Sequence, residues 1–506
     1  MFIRKKVNRS GSVSVQILEK INRRNRLLKS VGVGKTPHEV ELLVRIARFE
    51  MDKLKSQPSL FNSSEDVAID AFMAGIYNED IRLVGPHLVF GSLFRSIGFN
   101  KVLEDTSYLE ALVVSRLVMP GSKMRTVEYL HRHSKITVGV HAIYKYMDKL
   151  TDAVIDRVQT ITFKHTKDVL AGQVGIVFYD MTTLYFEIDR EDDLRKVGYS
   201  KDGKHQHPQI MIGLLVSTNG YPIAYQIFEG NTAETKTLIP AIQSICDRYK
   251  IRKPIVVADA ALLSKSNLKD LESNGFEYIL GGRIKSEDAI IKNKILLTKI
   301  TEEHPVEFKT QKGRLVVSFS SKRQRKDAFN RNRGLERLKK KVATGKLTKE
   351  SINNRGYNKY LTLKGETTVQ IDYHKFHADA KWDGLKGYNT NTNLSPKEVI
   401  SAYSNLWVVE KAFRISKSDL KTRPVYHRKH RRITAHICIC FIAYTLYKEL
   451  ERRLKVNHTG ITIENAVLLI SDILEITYTQ PVSRQKKSKL LKLTGDKALI
   501  IQIAQK

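Results

Sequence analysis

The 506-residue chain is short of three things, and each shortage closes off a class of protein. Its three cysteines, Cys246, Cys438 and Cys440, are too few for a disulfide framework or a four-ligand zinc site. Cys438 and Cys440 stand two apart in an apolar helical stretch, so they face different ways and read as packed thiols. No apolar run reaches the roughly 18 residues needed to cross a bilayer. The nearest, ITAHICICFIAYTLY from Ile433, follows RKHRR, contains His436 and reads as a buried helix. The N-terminus MFIRKKVNRSGS is basic but has no hydrophobic segment behind it, so no signal peptide is expected and a cytoplasmic location follows. Acidic residues are the third shortage: 53 Asp and Glu against 86 Lys and Arg give a formal charge of +33. Such a balance points to a polyanionic partner, nucleic acid ahead of an anionic membrane, with a merely basic surface as the plain alternative.

What is present is enough apolar sequence, 42%, for real cores. One domain per ~150 residues suggests about three domains, and the texture of the chain divides it more finely. Residues 1–60 read as a small β-hairpin plus a helix over PHEVELLVRIARFEMDKL, with residues 55–70 polar and loop-like. Residues 61–170 are a run of helices, fitting a DNA-binding or a dimerisation domain. Near Gly172 the texture changes. VGIVFYD, QIMIGLLVS and YPIAYQIFEG read as consecutive strands, followed by the helix NTAETKTLIPAIQSICDRYK with Thr232 as N-cap. The strand KPIVVAD, a helix around SKSNLKDLESN and the strand FEYILGG complete residues 171–289. The order β-β-β-α-β-α-β predicts an α/β fold, a ribonuclease-H-like mixed sheet with helices on both faces. Residues 290–395 read as an inserted antiparallel β-domain. Within it, residues 321–350 hold 12 Lys and Arg against 3 acids, a phosphate-contacting element or a solvated helix and loop. Residues 396–455 close the core with helices, and 456–506 form a C-terminal helical segment and a basic tail.

Three carboxylates stand where chemistry is expected. Asp180 ends VGIVFYD and Asp259 ends IVVAD, each at the C-terminal end of a strand, where α/β sheets place their ligands. If the two strands are adjacent and parallel, the acids lie side by side. They then repel unless divalent cations neutralise them. Two ions about 3.5–4 Å apart activate a nucleophile and stabilise the leaving oxygen of an in-line phosphoryl transfer. Glu410 is the third acid, in the basic, apolar-faced helix VVEKAFRISKSDL, with Arg414 at i+4 and Lys417 at i+7 on its face. The plain alternative is an exposed Glu410–Arg414 helix pair.

On these residues the chain resembles the DDE transposases of bacterial insertion sequences. The branch is that of the insertion-sequence-four superfamily, which carries a β-domain before its glutamate. Asp180 in YDMTTLYFE and Asp259 in VVADAALLS match the two aspartates. Tyr403, Glu410 and Lys417 fall on the family's Tyr-x2-Arg-x3-Glu-x6-Lys signature, while Leu406 stands where the arginine is expected. GYSKDGKHQHPQIMIGLLV, IFEGNTAETKTL and DLKTRPVYHRKHRRITAH extend the resemblance over roughly residues 110–450. It implies a nucleoid-associated enzyme that cuts element ends, frees 3′-hydroxyls and joins them to target DNA. The implied cofactor is two Mg²⁺ per site, with Mn²⁺ as a substitute, held by Asp180, Asp259 and Glu410. The implied partners are double-stranded DNA, as terminal inverted repeats and target, and a second copy of the chain in a synaptic complex.

The expected DNA contacts are Tyr403, Arg414, Lys417, Lys421, Arg423, Lys322, Arg323, Arg325, Lys326 and Trp382. Trp382 and Trp407 are the only tryptophans; either can stack on an opened base, and Trp407 reads better as core. His427 and Arg428–Arg432 fit a backbone-contacting patch. Thr182, Thr183, Asn231 and Thr232 read as local structure more readily than as chemistry, and His205 and His207 as loop residues rather than zinc ligands. Two rivals remain: a metal-dependent nuclease of the same fold that never joins, and a DNA-binding protein on a retired catalytic fold.

Overall fold

The computed structural model describes the whole chain except residues 22–23, 55–68, 71, 135, 173, 188–189, 201–202, 251–252, 263, 312, 346, 354–355, 365–367, 481–482 and 484. The polar stretch expected after the first helix lies largely outside the described residues. The chain forms two compact units, one of Met1–Val89, Glu128–Thr137 and Glu464–Lys506, the other of Phe90–Val127 and Val138–Ile463.

The first unit opens with three antiparallel strands, β1 (Phe2–Val7), β2 (Val13–Ile21) and β3 (Arg24–Gly34), against the helix Pro37–Leu54. The expected hairpin therefore gains a strand. FIRKKV lies almost wholly exposed at the sheet edge, so its cations hide the alternation that marks half-buried strands. The core between sheet and helix is small: Val15, Ile17, Val40, Leu43 and Ala47. A second sheet joins β4 (Ile81–Leu83) to the strand Leu474–Thr479, which also pairs with Lys486–Leu490. The basic tail is thus partly a strand, and a helix, Asp496–Gln505, follows it.

The second unit is built on an eight-stranded mixed sheet. Its strands are β5 (Ile176–Tyr185), β6 (Gln209–Ser217), β7 (Pro222–Glu229), β8 (Ile255–Ala258), β9 (Tyr278–Gly282), β10 (Val306–Thr310), β11 (Gly313–Phe319) and, after the small hairpin β12 (Leu361–Lys364)–β13 (Thr368–Ile371), β14 (Leu385–Thr390). The order across the sheet is β10-β11-β14-β9-β8-β5-β6-β7. β5, β8 and β9 run parallel, and the remaining neighbours are antiparallel. β6 is buried at every residue because helices cover both faces, which is why QIMIGLLVS reads as a continuous apolar run.

Alternation along β5 separates those faces. Val177, Tyr179 and Met181 join a core with Leu238, Ile242 and Ile245 of the helix Leu238–Tyr249. That helix begins later than its sequence suggests, with Thr237 rather than Thr232 before its first residue. Pro240 has no N–H to donate upstream, so regular helical bonding cannot extend backwards from it. On the opposite face lie the helix Trp407–Arg414, packed on β5 and β6, and the helix His430–Val456, packed on β7 and on the helices Ser107–Val118 and Asp152–Val169. His430–Val456 is long and apolar enough by composition to cross a membrane, but 94% of its most apolar window is buried inside the protein. All three cysteines are free and buried.

The segment expected as a separate antiparallel β-domain resolves differently. β10, β11 and β14 are antiparallel, but they continue the main sheet beyond β9. Leu315, Val316 and Val317 are all buried, so β11 belongs inside a sheet with both faces covered. The segment also holds the helix Ala289–Leu297, and its remaining main elements are the 23-residue helix Ser321–Ala343, the β12–β13 hairpin and the helix Tyr373–Ala380, sharing a core of Leu335, Leu338, Tyr360, Leu361, Val369 and Phe376.

Candidate active site

The parallel pair β5–β8 places the two aspartates. Its register ends at Tyr179 opposite Ala258, so Asp180 and Asp259 are the next residues on neighbouring chains, whose spacing in a sheet is about 4.8 Å. Asp180 does not end its strand, as the sequence suggested. β5 runs on to Tyr185 paired with β6 alone, and Asp180 is half-buried where its parallel neighbour stops. Thr182 and Thr183 are consequently buried strand residues, not loop groups. The Asp180 carboxylate accepts from the Met181 N–H at 2.7 Å, and the exposed Asp259 accepts from the Ala260 N–H at 2.6 Å. Arg283 donates to the Ala260 carbonyl at 2.9 Å and so ties down the turn that carries Asp259.

Asp180 shares its strand face with Thr182 and Leu184, which line a small space together with Phe413. That is the face of the Glu410 helix. The helix owes its orientation to Val409, Ala412 and Phe413, which are buried, while Trp407, Glu410 and Arg414 are exposed. Trp407 is 55% exposed, the reverse of its expected core role, and Leu406 beside it is buried. The helical register puts the two on different sides. No ion pair joins Glu410 to Arg414 among the described residues. A π-helical turn, Ile415–Asp419, follows directly and shifts Lys417 from its simple α-helical i+7 position. Lys417 lines the small space beside Thr182.

Tyr403 and Lys386 connect Glu410 to Asp259. Burial raises the Tyr403 phenol above its usual range, and the nearby Asp259 and Glu410 charges add to this. Gly281 permits the approach: a Cβ there would stand 2.7 Å from the Tyr403 hydroxyl and 2.9 Å from the Ala260 nitrogen. Lys386, on β14, lies 4.3 Å over the Tyr403 ring and 5.4 Å over that of Tyr388. Burial lowers its ammonium pKa, as does Arg323, while Asp259 and Glu410 oppose that shift. Lys386 is the functional candidate that sequence reading missed. It lies in β14, more than a hundred residues after Asp259, and no local pattern links the two. The pairing of β14 with β9 makes them neighbours.

Among the described residues, no group of three or more His, Cys, Asp and Glu is close enough to hold a metal ion. The fit to divalent cations rests on donor chemistry: two adjacent aspartates and a glutamate, all hard oxygen donors, with Asp259 and Glu410 sharing neighbours. His205 accepts from the Ser200 N–H at 3.3 Å, and His207 packs near Tyr185, so both act locally.

The expected DNA contacts fall into separate groups. Tyr403 stands near Asp259 and Glu410, while Arg323 lies near Lys386 and pairs with Asp327 at 3.4 Å. Lys322, Arg325 and Lys326 are exposed on the first turns of the Ser321–Ala343 helix. Trp382 is half-buried against Ile284 and Leu315 and lines a cavity of about 410 Å³ with Arg323, Arg331 and Lys386. Lys421 and Arg423 line another, and Arg414 is exposed. The expected backbone patch is divided. His427 is buried, with burial and the Lys123 charge pushing it down to about 3, whereas Arg431 and Arg432 pair with Asp148 at 3.0 and 2.7 Å.

A mixed α/β unit with two acids side by side where the parallel pairing of β5 and β8 stops defines the class. The family described as "Transposase DDE domain" matches residues 173–446, more than half of the chain, and the protein belongs to that family. It is therefore a transposase, a protein of DNA transposition. No curated protein matches it. Among solved structures, it is similar to a piggyBac transposase synaptic complex with hairpin DNA at 8% identity and TM-score 0.39, over 76% of each chain. A Mos1 transposase paired-end complex with left transposon end matches at 12% and 0.16, over 48% of this chain and 77% of that one. A Mos1 mariner paired-end complex with Mn matches at 12% and 0.15, over 48% and 78%.

Proposed function

We propose that the protein cleaves the ends of an insertion sequence and joins the freed 3′-hydroxyls to target DNA, using Asp180, Asp259 and Glu410. The observation that carries this reading is the meeting of Asp259 and Glu410 around Tyr403 and Lys386, beside the register that sets Asp180 next to Asp259. The strand order β7-β6-β5-β8-β9, first, second and third strands on one side and fourth and fifth on the other, supports a ribonuclease-H-like core. The Tyr403–Glu410–Lys417 spacing, with a long segment between β9 and Glu410, supports membership of the insertion-sequence-four superfamily.

The three carboxylates are the ligands we assign to two Mg²⁺ ions, with Mn²⁺ as a substitute. Bound ions supply Lewis-acid activation of the attacking oxygen and charge stabilisation of the leaving one. The reading requires the Glu410 carboxylate to approach the aspartates more closely when DNA is bound. The Tyr403 hydroxyl packs against Gly281, beside the turn that carries Asp259. Lys386 and Arg323 bring positive charge to the same edge, where a scissile phosphate needs it. Two ends must be handled together, so we include a homodimer in a synaptic complex, acting on nucleoid DNA in the cytoplasm.

The test uses element ends and pre-cut ends with Mg²⁺. Wild type should cleave the first and insert the second. Asp259→Asn should lose more than about 100-fold in both reactions while still binding DNA. Hydrolysis without insertion would favour the nuclease reading, and binding without cleavage by wild type under any divalent ion would sink both.

A further inference from the structure

Away from the acids, the second unit contains a cavity of about 350 Å³ whose lining gathers five cationic side chains and two imidazoles, with Met124, Tyr144 and Tyr426 among the rest. Arg116 and Lys123 are its innermost charges, 4% and 6% exposed. Neither forms an ion pair among the described residues. Arg116 donates to the carbonyls of Leu420 and Lys421 at 3.5 and 3.4 Å, and nothing described accepts a hydrogen bond from the Lys123 ammonium. No described Asp or Glu lines the cavity. His427 and His436 are buried beside these cations with rings 5.3 Å apart, and the His436 Nδ1 has no hydrogen-bond partner among the described residues. Arg125, Lys421 and Arg423 also line the cavity, Arg125 and Lys421 being exposed.

Proteins seldom bury two unpaired cations side by side, because desolvation and mutual repulsion both oppose it. Here burial, then Arg116, push the Lys123 ammonium down to about 7. A bound anion relieves both penalties. We propose that this cavity is a phosphate site, in which Arg116 and Lys123 grip a backbone phosphate of bound DNA while Lys421 and Arg423 hold its neighbours. The choice of DNA as carrier rests on the transposase reading; the anion site itself does not. A phosphate gripped here fixes the register of the duplex without reading its sequence.

Two measurements on the full-length protein test it. The first is thermal melting of wild type and Lys123→Met in inorganic phosphate against chloride at equal ionic strength. Wild type should be stabilised by phosphate and Lys123→Met should not, with Lys123→Arg recovering the response. The second is binding of a short duplex over a salt series. Lys123→Met should weaken binding on the order of tenfold and lower the salt slope by about 1, and Lys421→Ala should act in the same direction. A phosphate response without any change in DNA binding would overturn DNA as the carrier and leave a free phosphate ligand. Melting and DNA binding both unchanged in Lys123→Met would overturn the site. Loss of the site while cleavage by wild type stands, or the reverse, separates this inference from the proposed reaction.

Discussion

Single residues in this protein are placed by charge as much as by hydrophobicity. Lys386 illustrates the point at the acids. Its ammonium stands over two tyrosine rings and near Asp259 and Glu410, reducing their mutual repulsion and offering charge to a phosphate. Lys386→Met should lower single-turnover cleavage on the order of 100-fold with an unchanged melting temperature, and Lys386→Arg should recover part of it. Glu449 makes the complementary case inside the helix His430–Val456. Its side chain is fully buried and bonded by Arg452 and Arg453 at 2.6 Å, by the Tyr221 hydroxyl at 2.8 Å and by His165 at 3.2 Å. Burial alone would raise its pKa, but His165 and the two arginines hold it well below the usual carboxylate range. A depressed folded pKa adds stability above the unfolded value of about 4.3, lost as pH falls towards the folded one. Glu449→Gln should therefore cost about 3 kcal/mol at pH 7 in denaturant melts. Below about pH 4 its stability should fall less steeply than that of wild type.

At the scale of elements, the helix Ser321–Ala343 joins two roles in one rod. Its latter half is anchored by Leu335 and Leu338 in a small core, and Ser320 caps its start by accepting from the Arg323 N–H. Lys and Arg are good helix formers, so a highly charged sequence can hold this length once one end is packed. The first turns are left to carry Lys322, Arg325 and Lys326, all exposed. Replacing those three with Ala should reduce the slope of log affinity against log salt by up to about 3, with no change in melting temperature. An unchanged slope would remove this helix from the DNA path. Pattern reading reached the existence of such elements well. β6, β7 and the long helix around Ile433 appear where periodicity puts them, whereas the helix around Glu410 stops at Arg414 and gives way to a π-helical turn. It failed where pairing partners decide. FIRKKV is a strand only because β2 completes its hydrogen bonds, and β10, β11 and β14 join the main sheet only because the edge of β9 is open to them.

For the whole molecule, the sequence by itself determined the class of chemistry. Acids following apolar strand runs, a basic helix around Glu410 and a charge of +33 are local or additive properties, and each is readable without knowing neighbours. The tertiary structure decided which of those residues meet. Sheet register sets Asp180 beside Asp259, β14 brings Lys386 near Asp259 and Glu410, and burial sorts Leu406 and His427 inward and Trp407 outward. The same packing left Arg116 and Lys123 together without an acid among the described lining residues, two cations that look ordinary in sequence. The physical reason is common to all of these. Strand pairing and desolvation act through neighbours brought together by folding, and neither leaves a mark on the local sequence of any one of them.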